Sequence, residues 1–96
     1  MVELLADDQI AEALSSRPQW QAEGAALVRE VELASFPQAI DAVDRIAVIA
    51  EEMNHHPDID IRWRTLRFSL STHFKGGITA NDVALADRID SVLGEL

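Results

Sequence analysis

The hydrophobic and polar positions of the chain fall into successive segments, some with the period of a helix and others with the period of a strand. In the first segment, residues 3–16, apolar side chains recur at helical spacing. Asp7 and Asp8 either cap this helix or favour its first turn through the helix dipole. Pro18 ends it, because proline cannot continue a helical hydrogen-bond ladder.

Two strands are predicted next, at residues 20–23 and 26–33, and they are joined at Gly24-Ala25. The second strand alternates only loosely between apolar and polar positions, because Arg29 interrupts its apolar face. A short connection of this kind predicts an antiparallel pair.

Residues 35–53 carry the strongest helical pattern in the chain, with an apolar arc that covers roughly half of the circumference. An arc this wide exceeds what contact with one sheet requires. Two interpretations fit: the helix is deeply buried in its own domain, or it also meets a partner subunit. The apolar positions are Ile40, Val43, Ile46, Ala47, Ile49, Ala50 and Met53, and Val48 stands among the charged residues opposite.

A second hairpin follows, and its register is predicted from the side to which each apolar residue points. A two-residue turn at Arg64-Thr65 places all the apolar residues of both strands on one face of the sheet. This register predicts that Trp63 packs in the core and does not stack on a ligand. The predicted pairs are Trp63 with Leu66, Ile61 with Phe68, and Ile59 with Leu70.

The last helix is predicted to follow Gly76-Gly77. It begins with Thr79-x-x-Asp82, a capping-box pattern in which Asp replaces the usual Glu or Gln. The element order is therefore α-β-β-α-β-β-α, in a single domain of residues 1–96. We expect an α+β fold in which three helices cover one face of a four-stranded antiparallel sheet.

Composition limits the classes of function. The chain has no cysteine, which excludes disulfides and thiolate metal sites and is compatible with an intracellular protein. A net charge of −9 argues against nucleic acid and anionic membranes as partners. The N-terminus does not have the pattern of a signal peptide, and no apolar stretch reaches the roughly 20 residues that span a bilayer. We therefore expect a cytoplasmic protein.

The candidate chemistry lies in the histidines, all three of which fall within nineteen consecutive positions, as His55-His56-Pro57 and His73. Imidazole has an ordinary pKa of about 6.5, so it exchanges protons near neutral pH. Three interpretations are open. The pair ends a helix, where cationic imidazole favours the dipole; or the histidines bind a metal, although adjacent rings point in different directions; or they perform acid–base catalysis on a small organic substrate.

The spacing around the histidines resembles that of the pterin-4a-carbinolamine dehydratase family. Glu51-x-x-x-His55-His56-Pro57 is followed after five residues by Trp63, after nine more by His73, and after eight more by Asp82. Ser71-Thr72-His73 and the Gly-Gly-Ile-Thr segment that leads into the last helix agree as well. The resemblance extends from about residue 20 to the last helix.

The resemblance implies a lyase that dehydrates 4a-hydroxytetrahydropterin to quinonoid dihydropterin and water, and so serves aromatic amino acid hydroxylases. It implies that no metal or organic cofactor is needed and that the protein is a homodimer or homotetramer. His55 and His73 match the histidines that protonate the leaving hydroxyl, one for each face of the pterin. His56 matches a residue that binds substrate and acts as a base.

The same resemblance assigns Glu51, Ser71, Thr72 and Asp82 to substrate binding. Glu51 either orients a histidine or holds the amino-pyrimidine edge of the pterin, unless it is simply a solvated acid on the polar helix face. Asp82 is either a helix cap or a site residue. Ser71 and Thr72 are expected to present backbone groups to the pterin.

One position departs from the family pattern, because Asn54 stands where some members have Asp. An amide does not favour protonated imidazole as a carboxylate does, so a lower pH optimum is expected.

Two other functions remain open. The first is a non-catalytic dimerisation module, since some animal relatives bind a transcription factor. The second is a pterin binder in molybdopterin-cofactor metabolism.

Overall fold

The computed structural model describes residues 2–96, and its elements occur in the predicted order α-β-β-α-β-β-α. The strands form one antiparallel sheet in the order β1-β2-β4-β3, which confirms the predicted α+β class. The elements are α1 (Asp7–Ser15), β1 (Gln21–Glu23), β2 (Ala26–Glu32), α2 (Phe36–Met53), β3 (Asp58–Arg62), β4 (Thr65–Leu70) and α3 (Ala80–Gly94), with a 3₁₀ turn at His73–Lys75 before α3.

The core lies between the helices and one face of the sheet. Side chains of β4 alternate between half-buried and fully buried positions, as expected for a strand with one face against the core. Short alanine side chains on the inner face of α2 allow the helix to pack closely against α3. The core residues include Leu27, Leu66, Phe68 and Leu70 from the sheet, Ala39, Ala42, Ile46 and Ala50 from α2, and Leu85, Ala86, Ile89 and Val92 from α3.

The wide apolar arc of α2 is only partly used within the chain. Ile46 and Ala50 of the arc are buried, whereas Ala47 is exposed. Val48, which lies opposite the arc, is 62% exposed. Burial in the domain therefore accounts for one side of the arc, and a partner contact stays a prediction. Among residues 2–96, no helix combines the length and the apolar character needed to cross a membrane.

The predicted start of the first helix at residue 3 is wrong, since α1 begins at Asp7. The preceding residues are extended because the backbone N–H of Leu5 donates to the carbonyl of Ile78 at 2.9 Å. Ala6 occupies the cap position, and its N–H donates to the side-chain oxygen of Gln9 at 2.8 Å. The acidic pair at residues 7–8 lies in the first turn, where it favours the helix dipole.

α1 has no fully buried residue, but Ile10 and Leu14 pack half-buried against the core, and an ion pair follows its C-terminus. Arg17 donates two hydrogen bonds to the carboxylate of Asp87 on α3, at 2.7 and 2.9 Å. The hydrogen bond to Asp87 raises the pKa of Arg17 above its ordinary value. This ion pair holds the end of α1 against α3.

The hairpin register predicted for β3 and β4 is wrong by two residues. Ile61 pairs with Leu66 and Arg62 pairs with Thr65, so the turn consists of Trp63-Arg64. Trp63 has a φ of 55°, which primed hairpin turns require at their first position. Its indole is 71% exposed, which contradicts the predicted core position, and the guanidinium of Arg64 lies 4.9 Å from the ring centroid.

The interruption of β2 by Arg29 has a structural cause. The side chain points toward the helices and donates to Oδ1 of Asp90 on α3 at 2.5 Å. Trp20, which is 3% exposed, donates its indole N–H to the same oxygen at 2.9 Å. One carboxylate thereby pairs with a largely buried cation and with an indole N–H, and it fastens α3 to the sheet. Nε of Arg29 is buried without a partner in residues 2–96.

Candidate active site

The end of α2 sets the backbone position of His55. Asn54 adopts a left-handed conformation with φ 49°, and its N–H donates to the carbonyl of Glu51. The N–H of His55 donates to the carbonyl of Ala50 at 3.0 Å. These two bonds form a Schellman motif, in which asparagine is one of the few residues that tolerate the left-handed position. The helix therefore ends in a defined geometry directly at the histidine pair.

A buried carboxylate holds the imidazole of His55. Nε2 of His55 lies 2.6 Å from Oδ1 of Asp82, whose side chain has no exposed surface. A carboxylate only accepts, so Nε2 carries the proton and donates it to this bond. Nδ1 makes no hydrogen bond within residues 2–96, and it is the ring nitrogen left available for a ligand.

The other oxygen of Asp82 completes a buried polar network. Oδ2 accepts from the hydroxyl of Thr72 at 2.8 Å and from the N–H of Thr79 at 2.9 Å. The Thr72 and Thr79 hydroxyl oxygens are 2.7 Å apart, and since Thr72 donates to Asp82, Thr79 is the donor in this pair. Both threonines are fully buried. The predicted capping box is thus confirmed, and the residue that caps α3 also holds His55.

The second histidine pairs with a carboxylate at the surface. Nε2 of His56 lies 2.5 Å from Oε1 of Glu51, which is one turn back on α2. The two side chains are 56% and 78% exposed. Glu51 is therefore neither isolated on the polar helix face nor part of the pocket wall, and its contact is with the neighbouring imidazole.

His73 stands in the 3₁₀ turn that follows β4. It is exposed, and its ring makes no hydrogen bond within residues 2–96. Hydrogen bonds close the turn, since the Thr72 carbonyl accepts from the N–H groups of Lys75 and Gly76 at 2.9 and 3.0 Å. Gly76 has a φ of 73°, which favours glycine. A free imidazole is thereby presented on a fixed backbone.

The histidines of both segments line one pocket of about 270 Å³. This volume lies just below the range typical of small-molecule sites, about 300–1,000 Å³. Two larger depressions, of about 450 and 570 Å³, lie elsewhere and contain no histidine. The small pocket is the better candidate because it holds the proton-transfer groups. Its lining is Asn54, His55, His56, Pro57, Asp58, Ser71, Thr72, His73 and Phe74.

The predicted site residues therefore occupy two layers. Five of them line the pocket, while Glu51 and Asp82 lie behind it, each against one histidine. The backbone N–H and carbonyl of Thr72 are both engaged within the turn, at Gly77 and Lys75, so its predicted backbone role toward a ligand has no free group. Trp63 lies at the opposite end of β3.

Sequence reasoning did not select Phe74, which also lines the pocket. The available signal was an apolar aromatic residue in an otherwise polar and glycine-rich segment, immediately after a candidate catalytic histidine. Within residues 2–96, no group of three or more potential metal ligands is placed to hold a metal ion.

Comparison with known proteins identifies the family. The family model described as pterin 4 alpha carbinolamine dehydratase matches residues 3–92. A protein of Mycobacteroides abscessus is 57% identical over 91 residues, covering 95% of this chain and 97% of its own. A protein of Nocardia farcinica is 54% identical over 90 residues, covering 94% and 95%. Both carry the provisional name of a pterin-4-alpha-carbinolamine dehydratase.

Two solved structures share the fold. A protein from Brucella melitensis, described as a transcriptional coactivator/pterin dehydratase, is similar with a TM-score of 0.91 and 25% identity, over 94% of this chain and 98% of that one. A pterin dehydratase-like protein described as a RuBisCO assembly factor in the alpha-carboxysome has a TM-score of 0.64 and 24% identity, over 78% and 87%.

Proposed function

The chain belongs to the pterin 4 alpha carbinolamine dehydratase family, and on this premise we propose that it is a lyase acting on 4a-hydroxytetrahydropterin. The products are quinonoid dihydropterin and water. The observation that carries the proposal is the convergence of three imidazoles from two separate segments on one pocket, with one of them held by a buried carboxylate.

The reaction requires only two proton transfers. In the substrate, a hydroxyl and the ring nitrogen N5 are attached to the same carbon, C4a. The lone pair of N5 forms the new C=N bond while the C4a–O bond breaks. The departing oxygen takes a proton and leaves as water, and N5 loses its proton. Positioned acid–base catalysis of this kind typically accelerates a step by about 10²–10⁴-fold.

His55 and His73 act as the acids toward the leaving hydroxyl, one from each side of the pterin. For His55 the reacting nitrogen is Nδ1, because Nε2 donates its proton to Asp82 at 2.6 Å. The acid is the doubly protonated ring, which gives up the Nδ1 proton and keeps the Nε2 proton. His73 has no hydrogen bond to any side chain or backbone group of residues 2–96 to break before it meets the substrate. The two histidines thus differ in mobility, with one fixed by the core and the other fixed only through its backbone.

His56 binds the substrate and receives the N5 proton, and Glu51 orients it across their 2.5 Å contact. Asp82 takes part in substrate binding through His55 alone, since its side chain has no exposed surface. Ser71 lines the pocket and is half-buried, so it contacts the substrate from the pocket wall. This division of roles follows from the two layers of the site.

The proposal includes no metal or organic cofactor, because proton transfer alone completes the reaction. The product returns to the tetrahydropterin pool that an aromatic amino acid hydroxylase consumes.

A cytoplasmic location and a homodimer or homotetramer stay predictions of the sequence and of the family. Assembly is supported by exposed apolar side chains at Val48, Ile61 and Trp63.

A second candidate function is a protein-binding role without catalysis. The similar structure from Brucella melitensis supports this candidate, because its description names both a transcriptional coactivator and a pterin dehydratase. A pterin binder in molybdopterin-cofactor metabolism is the third candidate. Both alternatives retain the fold and differ from the first in leaving the carbinolamine unchanged.

The deciding experiment is a stopped-flow assay with freshly generated 4a-hydroxytetrahydropterin. We expect wild type to accelerate the loss of water, and each of His55→Ala, His56→Ala and His73→Ala to slow it. Wild-type protein that leaves the spontaneous rate unchanged, while still binding pterin, would instead support the third candidate.

Sedimentation of wild type and Val48→Asp, whose substitution lies on the outer side of α2, tests assembly through that helix.

A further inference from the structure

Phe74 is the most exposed of the large hydrophobic side chains within residues 2–96, at 77%. Its ring stands at the rim of the histidine pocket, next to His73 in sequence. Exposing an aromatic ring to water is unfavourable, because its apolar surface is not removed from solvent. An aromatic side chain held at the mouth of a small-molecule pocket is therefore a candidate for ligand contact.

The backbone that carries Phe74 is fixed on both sides. Thr72 precedes it, is fully buried, and bonds through its hydroxyl to Asp82. Gly76 follows it in a left-handed conformation, with its N–H donating to the carbonyl of Thr72. The same network that holds His55 thus also fixes the turn from which Phe74 projects. A ring on such a support loses little backbone freedom when it meets a ligand.

We propose that Phe74 stacks on the flat pyrimidine half of the bound pterin and sets how tightly the substrate binds. The inference rests on the proposed function for the identity of the ligand. The histidines act at C4a and N5, which are atoms of the partly saturated ring. C4a is shared by both rings and is tetrahedral in the substrate, but the conjugated atoms N1, C2, N3 and C4 of the pyrimidine half stay flat. Their face is the part of the substrate that an aromatic side chain at the rim can cover. Phe74 has no group that transfers protons, so its contribution falls on binding.

The chain offers a matched control in Phe36. It is also a phenylalanine with an exposed ring, at 47%, but it stands at the start of α2 and does not line the histidine pocket. Removing either ring takes away an exposed apolar group of the same size. A difference between the two variants is therefore due to the pocket rather than to a general surface effect.

The experiment compares Phe74→Ala, Phe74→Leu, Phe74→Trp and Phe36→Ala in the full chain. We expect Phe74→Ala to raise KM about 10-fold with kcat changed less than about 3-fold, in line with the loss of one aromatic contact. Phe74→Trp keeps a KM near wild type, whereas Phe74→Leu is intermediate because it is apolar without a flat face. Phe36→Ala matches wild type. Thermal unfolding of all four should stay close to wild type, because both rings are exposed.

A binding titration with 7,8-dihydropterin, which has no 4a-hydroxyl to lose, separates this inference from the proposed reaction. A Kd that rises for Phe74→Ala and not for Phe36→Ala supports the contact, even if wild type fails to dehydrate the carbinolamine. The inference is overturned if Phe74→Ala equals Phe36→Ala in both KM and Kd while wild type is active. It is also overturned if wild type does not bind the probe at all.

Discussion

Oδ1 of Asp82 lies 2.6 Å from Nε2 of His55, although 27 positions separate the two residues in the sequence. The aspartate is the N3 residue of the capping box of α3, and the histidine follows the C-terminus of α2. One carboxylate therefore links the start of one helix to the end of another at the edge of the pocket. Substitutions at this position should change both stability and catalysis.

Asp82→Asn should invert the hydrogen bond to His55. The amide keeps one acceptor oxygen for the N–H of Thr79, which leaves its NH₂ facing Nε2. The neutral imidazole then carries its proton on Nδ1, and the NH₂ group facing Nε2 disfavours the doubly protonated ring that acts as the acid. We expect kcat to fall by about 100-fold, the size of one acid–base contribution. The free energy of unfolding should drop by about 1–3 kcal/mol through imperfect pairing of buried donors.

The measurement that isolates this positioning role is ¹⁵N NMR of the His55 ring. In Asp82→Asn the protonated nitrogen should change from Nε2 to Nδ1, a change that a purely structural loss does not produce. Asp87→Asn is the control, since that carboxylate lies on the same helix but is 53% exposed and pairs with Arg17. Wild-type kcat and an unchanged tautomer in Asp82→Asn would contradict the assignment.

His73→Ala and His55→Ala should separate activity from stability. Each is expected to lower kcat by about 100-fold or more, because each removes a proton donor. His73 is exposed without a hydrogen bond, so its loss should change the free energy of unfolding by less than about 0.5 kcal/mol. His55→Ala leaves the buried carboxylate of Asp82 without one donor, which should cost about 1–3 kcal/mol.

Urea unfolding beside the stopped-flow assay tests this pair. If His73→Ala loses stability as strongly as activity, the histidine is structural and the catalytic assignment is wrong.

Asn54→Asp should shift the pH–rate profile to higher pH. The new carboxylate would lie at the pocket wall beside the histidine pair, where negative charge favours protonated imidazole. The acids then remain protonated at a higher pH, and the optimum should rise by up to about one unit. Aspartate also tolerates the left-handed φ of 49°, so the helix end should persist. A profile that superimposes on wild type would remove this explanation of the departure from the family pattern.

Asp90→Ala should lower stability without affecting catalysis. Its Oδ1 accepts from Arg29 at 2.5 Å and from the indole of Trp20 at 2.9 Å, and Arg29 is only 15% exposed. Removing the carboxylate leaves a buried cation unpaired, which should cost about 2–4 kcal/mol of unfolding free energy. Asp87→Ala, at an exposed ion pair, should cost less than about 1 kcal/mol. If both variants lose the same free energy of unfolding, the Asp90 network stabilises the fold no more than an exposed ion pair does.

The sequence predicted the helices best where local signals agree. Ser35 caps α2 and Thr79 caps α3, so their starts follow from side chains that bond to nearby backbone groups. The start of α1 was missed because Leu5 bonds to Ile78, a contact with no local signal. The few residues before Asp7 are too short a stretch for the spacing of apolar side chains to distinguish a helix from an extended segment.

The hairpin shows the limit of reasoning from periodicity. A register shift of two residues leaves every side chain on the same face, so the predicted and observed pairings bury the same residues of β4. The predicted inward face of the strands agrees with the structure, whereas the predicted position of the turn does not. Trp63 was assigned to the core on parity, but in the turn its strand has ended and parity no longer applies.

The order of the elements, the inward face of each strand and the grouping of the histidines are properties of the sequence alone, because they depend on neighbours along the chain. The fold alone decided that β2 joins β4, that Asp82 meets His55, and that Phe74 stands at the pocket rim. These relationships depend on how whole helices and strands pack against one another. Packing energy is shared among residues far apart in sequence, so no local pattern encodes it.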